Sequence, residues 1–467
     1  MVPGERHSAA GAMDWSGRDR HVTLADRMSA FAVLSALPRD GRLLFATRFL
    51  RLFAYGALSI VLVLYLVGLG LSEAETGVVL TATLLGDTLV SLYLTTRADR
   101  FGRRRMLIAG ATLMAAAGVA FAFTGEMWLL VAVGTIGVIS PSGHEVGPFL
   151  PIEQAALSQV VSDRQRTDVF AWYTLAGSLA TACGALAAGF LSDALSSQWN
   201  PVDAYRTILW LYASIGVALG AAFWLLSPDV EAPAATRSAI AVPRLARLAG
   251  LDRSHGVVLR LSGLFALDSF GGGFVVQSFA AYWFHRRFAV DAQTLGTLFF
   301  AANVLAGFSA LVAARLANRI GLINTMVVTH LPSNILLMLI PLMPTLPLAA
   351  FTLLLRFSIS QMDVPARQSY TMAVVPPEER AAASGITGVA RTTGAALSPL
   401  FAGLLFAQPS LINVPFYIAG TLKSVYDLLL FRFARDSEAS IRSRGVSRPQ
   451  TTGRTGRDPM PDPRRRG

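Results

Sequence analysis

The sequence predicts an all-α membrane protein of about twelve spans, built as two related six-helix halves. Three observations predict it. Of 467 residues, 53% are hydrophobic and 15% charged, against about 25% charged in a soluble domain, and mean hydropathy is +0.51. Apolar segments near the ~20 residues that cross ~30 Å of hydrocarbon recur along the chain. The halves also share residues in register. Pro151, Gln154, Val160, Val161, Arg166 and Ala176 return 214 positions later as Pro365, Gln368, Val374, Val375, Arg380 and Ala390. Ala98-x-Arg100-x-Gly102 returns 219 positions later as Ala317-x-Arg319-x-Gly321.

Taken in order, residues 1–43 are polar with scattered arginines and read as a disordered cytoplasmic tail. No compact apolar core with a small-residue cleavage site precedes the first span, so no signal peptide is expected. The first bundle, 44–226, holds spans near 45–68, 75–96, 105–124, 127–149, 168–191 and 205–226. Residues 227–256, rich in Ala, Pro, Arg and Ser, read as a central cytoplasmic linker. The second bundle, 257–433, holds spans near 257–283, 292–315, 321–342, 346–364, 383–407 and 412–433. The fourth and tenth are the weakest, interrupted by Pro141 and Pro148 and by Arg356 and Pro365. Residues 434–467 form a basic tail expected to be disordered.

Charge sets the orientation and excludes other classes. The net charge of +11 sits in the tails and alternate loops, a topological pattern and not a nucleic-acid surface. Arginines cluster at 97–105, 164–166, 237–260, 315–319 and 367–380, whereas the opposite loops carry Glu73, Glu75, Glu126, Asp193 and Asp203. The positive-inside rule then places both termini in the cytoplasm, with Arg286 and Arg287 as exceptions. One cysteine, Cys183, excludes an intrachain disulfide and a multi-cysteine metal site. His144 and Glu145 are adjacent and point apart, and the six histidines form no helical metal pair. No nucleophile–base pair, metal set, phosphate-binding glycine loop or nucleotide-binding domain is evident. The expectation is therefore no enzyme, no cofactor, no metal and no direct use of ATP.

The loop Thr95-Thr-Arg-Ala-Asp-Arg-Phe-Gly-Arg-Arg-Arg105 lies between the second and third spans. Gly102 permits a tight turn, and Asp99 can pair with the arginines or accept from a helix N-terminus. Asp99, Arg100, Gly102, Arg103 and Arg104 resemble the signature of the major facilitator superfamily of membrane transporters, with Thr95 in place of its first glycine. The resemblance covers about residues 45–433. It implies two parallel six-helix bundles, alternating access, and a cytoplasmic gate in which the Asp99 loop docks near Ala383 to Gly385. It also implies a cavity lined by the first, fourth, seventh and tenth helices and flanked by the second, fifth, eighth and eleventh.

Ionisable groups deep in a membrane cost several kcal/mol unless paired or hydrated, so each is a functional candidate. At ~1.5 Å per residue, Asp87 and Asp268 lie roughly 15 Å from a helix end and Arg356 is similarly deep. On the family's arrangement Asp268, Arg356 and Glu145 face the cavity, while Asp87, Asn303 and Arg391 lie beside it. Asp268 is the first candidate for proton coupling, then Asp87 and Glu145. The competing reading is a static ion pair of Asp268 with Arg356 or Arg391. Arg356, Arg391, Asn303, Trp172, Tyr173 and Phe274 are candidates for lining the substrate cavity. Lys423 and Asp427, four apart, are expected to neutralise each other, as are Asp363 and Arg367. His330 falls on a helix usually peripheral in this fold. Gly271-Gly-Gly273 predicts a distorted seventh span. In the eleventh, Gly394 to Gly403 resembles the glycine–proline motif of drug–proton antiporters, a pattern that close helix packing also requires.

The expected activity is proton-coupled efflux of a small organic or drug-like compound by a monomeric carrier in the plasma membrane. The alternatives are uptake of an anionic metabolite by symport or facilitated diffusion, and a non-transporting sensor or scaffold on the same fold.

Overall fold

In the computed structural model, the described residues are 37–143, 147–161, 166–231, 254–376 and 379–443, and all their regular structure is helical. The first half contains α1 (Arg39–Gly68), α2 (Glu73–Phe101), α3 (Arg103–Phe123), α4 (Met127–Ile136), α5 (Phe149–Val160), α6 (Arg166–Ser196) and α7 (Pro201–Trp224). The second contains α8 (His255–Gly273), α9 (Gln277–Phe288), α10 (Ala292–Ile320), α11 (Leu322–Leu339), α12 (Leu346–Phe357), α13 (Asp363–Ala373), α14 (Arg380–Phe406) and α15 (Val414–Ser443).

Ten described helices, counting α8 and α9 as one, are long and apolar enough to cross a membrane, and α4 and α12 are shorter apolar helices. Their outer faces carry large apolar side chains in the open, among them Leu89, Phe123, Trp128, Val217, Phe351 and Leu428. Those surfaces suit lipid, whose chains compensate the exposed area.

The fourth, seventh and tenth spans are broken, and the sequence explains why. Between α4 and α5 the chain passes Pro141, then Gly143 at φ +67° and Gly147 at φ +116°. Pro151 is the third residue of α5, as Pro365 is of α13. A proline is tolerated in a first turn, where its missing N–H has no intrahelical partner. Both short helices therefore start in the same register, at Phe149 and Asp363. α8 ends at the Gly271–Gly273 run, and α9 resumes at Gln277.

The loop signature is equally explicit. Gly102 alone separates α2 from α3 at φ +104°, and Gly321 alone separates α10 from α11 at φ +85°. A side chain would be strained at either. Small residues set the tightest helix contacts. A Cβ on Gly56 of α1 would lie 2.1 Å from the Thr181 carbonyl oxygen of α6, and one on Gly394 of α14 would lie 2.4 Å from that of Ala266 in α8. The Gly394 stretch thus packs α14 onto α8, where the Ser398 hydroxyl donates to the Phe270 carbonyl.

The chain forms two compact units. One comprises the described residues of Met1–Val242 with Gln277–Gly307; the other comprises those of Pro243–Val276 with Phe308–Gly467. Within the first, α9 packs on α1, and Arg286 pairs with Glu73 at 2.5 Å. That pair explains one of the two arginines that broke the charge pattern. Within the second, Leu261, Phe265, Met326, Tyr370, Tyr426 and Leu430 form a buried cluster linking α8, α11, α13 and α15.

Candidate functional site

The gate residues lie at the α2–α3 junction. Asp99 accepts from Arg103 Nε at 2.8 Å, as its spacing allows. The N-terminus of α3 is taken by Glu231, which accepts from the backbone N–H groups of Arg103 at 2.7 Å and Arg104 at 3.2 Å. Arg103 also donates to the Ala155 and Val230 carbonyls, both at 3.1 Å. The beginning of the expected linker is therefore fastened to α3. Arg100 projects over the Phe101 ring.

In the second unit, Asp268 of α8 is the centre of a buried ion cluster. Its Oδ1 accepts from Lys423 Nζ of α15 at 2.6 Å, and its Oδ2 from Arg367 of α13 at 2.9 Å. Arg367 also meets Asp363 at 3.3 Å, the expected pairing. His330 of α11 turns Nδ1 toward Asp427 of α15, 2.9 and 3.1 Å from its two oxygens. Its Nε2 lies 3.7 Å from Asp268 Oδ1. Asn334 donates to Asp427 at 2.8 Å.

Two expectations are corrected here. Among the described residues, Asp268 pairs with Arg367 and Lys423 and not with Arg356 or Arg391. The break after α12 lets α13 present Arg367 to α8, which a continuous tenth span would not. Lys423 and Asp427 share a face and act on each other electrostatically, but no direct ion pair joins them, and each meets a closer partner on a neighbouring helix. His330, on the helix expected to be peripheral, is 5% exposed and sits between two aspartates.

Arg356 of α12 and Arg391 of α14 are half-buried. Asp268 and Asp363 act on both guanidinium groups electrostatically. No ion pair reaches either arginine among the described residues, and the Nε of each has no hydrogen-bond acceptor. Phe274 is buried at the α8–α9 break, edge-on to Phe270.

The first unit holds a second ion pair that sequence reading missed. Arg51 of α1 and Glu153 of α5, both 0% exposed, meet bidentately at 2.5 and 2.7 Å. Tyr173 of α6 donates to Glu153 at 2.5 Å, and the Arg48 guanidinium lies 4.4 Å from the Tyr173 ring centroid. Tyr173 thus belongs to this cluster, while Trp172 is half-buried beside it in sequence. The repeat carried the missing signal, since Glu153 and Arg367 occupy the same position at a spacing of 214.

Asp87 of α2 is 1% exposed. It lies against the fourth-span break, where a Cβ on Gly147 would come 3.3 Å from its Oδ1. Asn303 of α10 donates to Gln277 at 3.2 Å, and Gln277 to Ser59 at 2.7 Å, so it belongs to a polar chain in the first unit. Glu145 lies outside the described residues, as do the tails 1–36 and 444–467 and most of the linker. Among the described residues no group of acidic, histidine or cysteine side chains is placed to hold a metal.

Broken spans with buried ion pairs in an otherwise apolar helical chain are features shared by membrane transport proteins of several folds. The sequence matches the family model of the Major Facilitator Superfamily over residues 44–362 and 269–457, and the chain belongs to that family. It is 29% identical over 440 residues to the uncharacterized membrane protein YJR124C of Saccharomyces cerevisiae, covering 88% of this chain and 98% of that one. It is 32% identical over 89 residues to a Na(+), Li(+), K(+)/H(+) antiporter of Planococcus maritimus, covering 19% and 21%. The fold is similar to the nucleoside transporter NupG, with a TM-score of 0.65, 16% identity, and 85% and 99% of the two chains covered.

Proposed function

We propose that this chain is a secondary active transporter that moves a small organic solute by alternating access, coupled to protons, with export as the leading direction. The observation that carries the reading is the Asp268 cluster. Three acids and three bases from four helices of one unit are held away from lipid beside a helix break. Packing alone does not require such a cluster, because apolar residues of similar volume are often as stable or more so. The local likeness to an H(+) antiporter supports proton exchange. Cytoplasmic termini, which the charge pattern supports, are part of this proposal, as are placement in the plasma membrane and a monomeric carrier. So does gating by Asp99 and its neighbouring arginines.

A second reading has its own support. Half-buried Arg356 and Arg391, with no ion pair among the described residues, favour an anionic solute, since a planar guanidinium matches a carboxylate or phosphate bidentately. The test is pH-gradient-driven flux in proteoliposomes over a panel of cationic, neutral and anionic compounds, comparing wild type with Asp268→Asn. Gradient-dependent movement that the variant loses is expected. Coupling unchanged in the variant would make Asp268 structural and move attention to Asp87 and Glu145. If accumulation is confined to anions and is lost in Arg356→Gln and Arg391→Gln, the second reading holds.

A further inference from the structure

The geometry points to His330 as the residue that binds the exchanged proton, at Nε2, with Asp427 fixing its tautomer and Asp268 receiving the new N–H. This deepens, and rests on, the proton-coupled reading.

The two aspartates differ in their partners. Asp268 accepts from an ammonium and a guanidinium, those of Lys423 and Arg367. A proton added to its carboxylate would weaken two charged hydrogen bonds at once. Asp427, 0% exposed, accepts instead from an imidazole and a neutral amide. An ionised carboxylate only accepts, so it requires the hydrogen of a neutral His330 on Nδ1. The lone pair of Nε2 then faces Asp268 Oδ1. Their separation of 3.7 Å is too long for a hydrogen bond and fits two acceptors facing each other.

Proton uptake acts first on that contact. One proton adds to Nε2, no other bond breaks, and the imidazolium becomes a donor on both sides, to Asp427 and to Asp268. The new N–H competes with Lys423 for the same oxygen, Oδ1. Asp268 lies on the last turns of α8, directly ahead of Gly271–Gly273 and the interruption before α9. The protonation state of α11 is thereby read by the segment that ends at the break.

The charged and titratable groups facing the imidazole are Asp427, Lys423 and Tyr426 from α15, Asp268 from α8, and Arg367 with Asp363 from α13. Arg391 of α14 and Arg356 of α12 act on the same cluster through Asp268. Four permanent cations against three carboxylates would oppose a further positive charge, but Nδ1 and Nε2 each point at a carboxylate, which localises the attraction.

The test needs no known substrate. Full-length protein labelled with ¹⁵N-histidine is reconstituted in nanodiscs and followed by NMR from pH 5 to 9, with His330→Gln identifying the His330 signals among the six histidines. His330 is expected to pass from a neutral Nδ1–H form to the doubly protonated form within that range. In Asp427→Asn, which keeps the shape of the site, the same conversion should need roughly tenfold more protons, about the effect of one lost neighbouring charge. A His330 that keeps one protonation state throughout, or a titration indifferent to Asp427→Asn, overturns the assignment. Failure of the underlying reading looks different: wild-type proteoliposomes would then show no gradient-driven flux, whatever His330 does.

Discussion

The two halves each bury an ion pair between their first helix and the short helix after a break, and the polarity is opposite. In the first unit Arg51 of α1 meets Glu153 of α5; in the second Asp268 of α8 meets Arg367 of α13. The repeat thus retains a place for an ionisable side chain, not its sign. The surroundings differ as well. Arg51 and Glu153 are fully enclosed, with bidentate geometry and a tyrosine on the carboxylate, an arrangement suited to a fixed joint. Asp268 has single bonds to two cations from two helices and a histidine just beyond bonding distance, an arrangement that a small change in charge can redistribute. The first arrangement is the more fixed in geometry, and the second is the one that the proposed proton uptake would alter.

Removing Glu153 is the strongest way to break this contrast. Glu153→Ala leaves Arg51 as an uncompensated buried charge, so a loss of about 3–5 kcal/mol is expected, read as a large fall in thermal midpoint and in yield of monodisperse protein. If that variant unfolds like wild type, the pair is not a joint. Asp268→Asn should cost less, about 2 kcal/mol, through weakened charged hydrogen bonds, because the amide oxygen still accepts, Arg367 retains Asp363 and Lys423 retains its electrostatic interaction with Asp427. Its marked effect should be on gradient-driven flux, and equal losses of stability at the two sites would erase the distinction. Tyr173→Phe removes one hydrogen bond to a charged acceptor and should cost about 1.5 kcal/mol while leaving proton dependence unchanged. A shifted pH profile in that variant would make the first cluster part of the coupling machinery.

The smallest effect compares the two single-glycine turns. Gly102→Ala and Gly321→Ala each force a side chain to positive φ with ψ at 128° and 162°, outside the left-handed helical region, at about 1–3 kcal/mol. The cost should be greater at Gly102, where the new Cβ would sit 3.1 Å from the Glu231 carboxylate that caps α3; around Gly321 the space is open. Melting curves of the two variants decide it, and an equal shift would mean the Glu231 cap yields freely.

Much of the fold was legible because it depends on local chemistry. Composition required a membrane, the prolines at 151 and 365 marked matching positions of the repeat, and Gly102 and Gly321 required the same turn twice. The repeat and the loop signature together led to the family. The fourth and tenth spans were marked as weak by their prolines, although the chain divides each into two helices where a single span was expected. Asp268 was visible as a site because an acid deep in an apolar run is too costly to keep without a partner or a role.

The partners of Asp268 were not legible. Helical periodicity tells which face a residue occupies, so Lys423 and Asp427 were matched as neighbours on one helix. Only packing shows that α8 and α11 approach that face and draw the two charges apart. Arg367 was assigned to a helix end because the break that turns α13 toward α8 could not be placed from a proline alone. Glu153 and Arg51, separated by 102 residues, carried no local signal of each other. The sequence alone determined the membrane class, the repeat and where the chain must turn at Gly102 and Gly321, since those follow from side-chain transfer energies and backbone sterics. The tertiary structure decided which buried charges meet, since in a low-dielectric interior a charge is satisfied by whichever partner the packing of separate helices brings within about 3 Å.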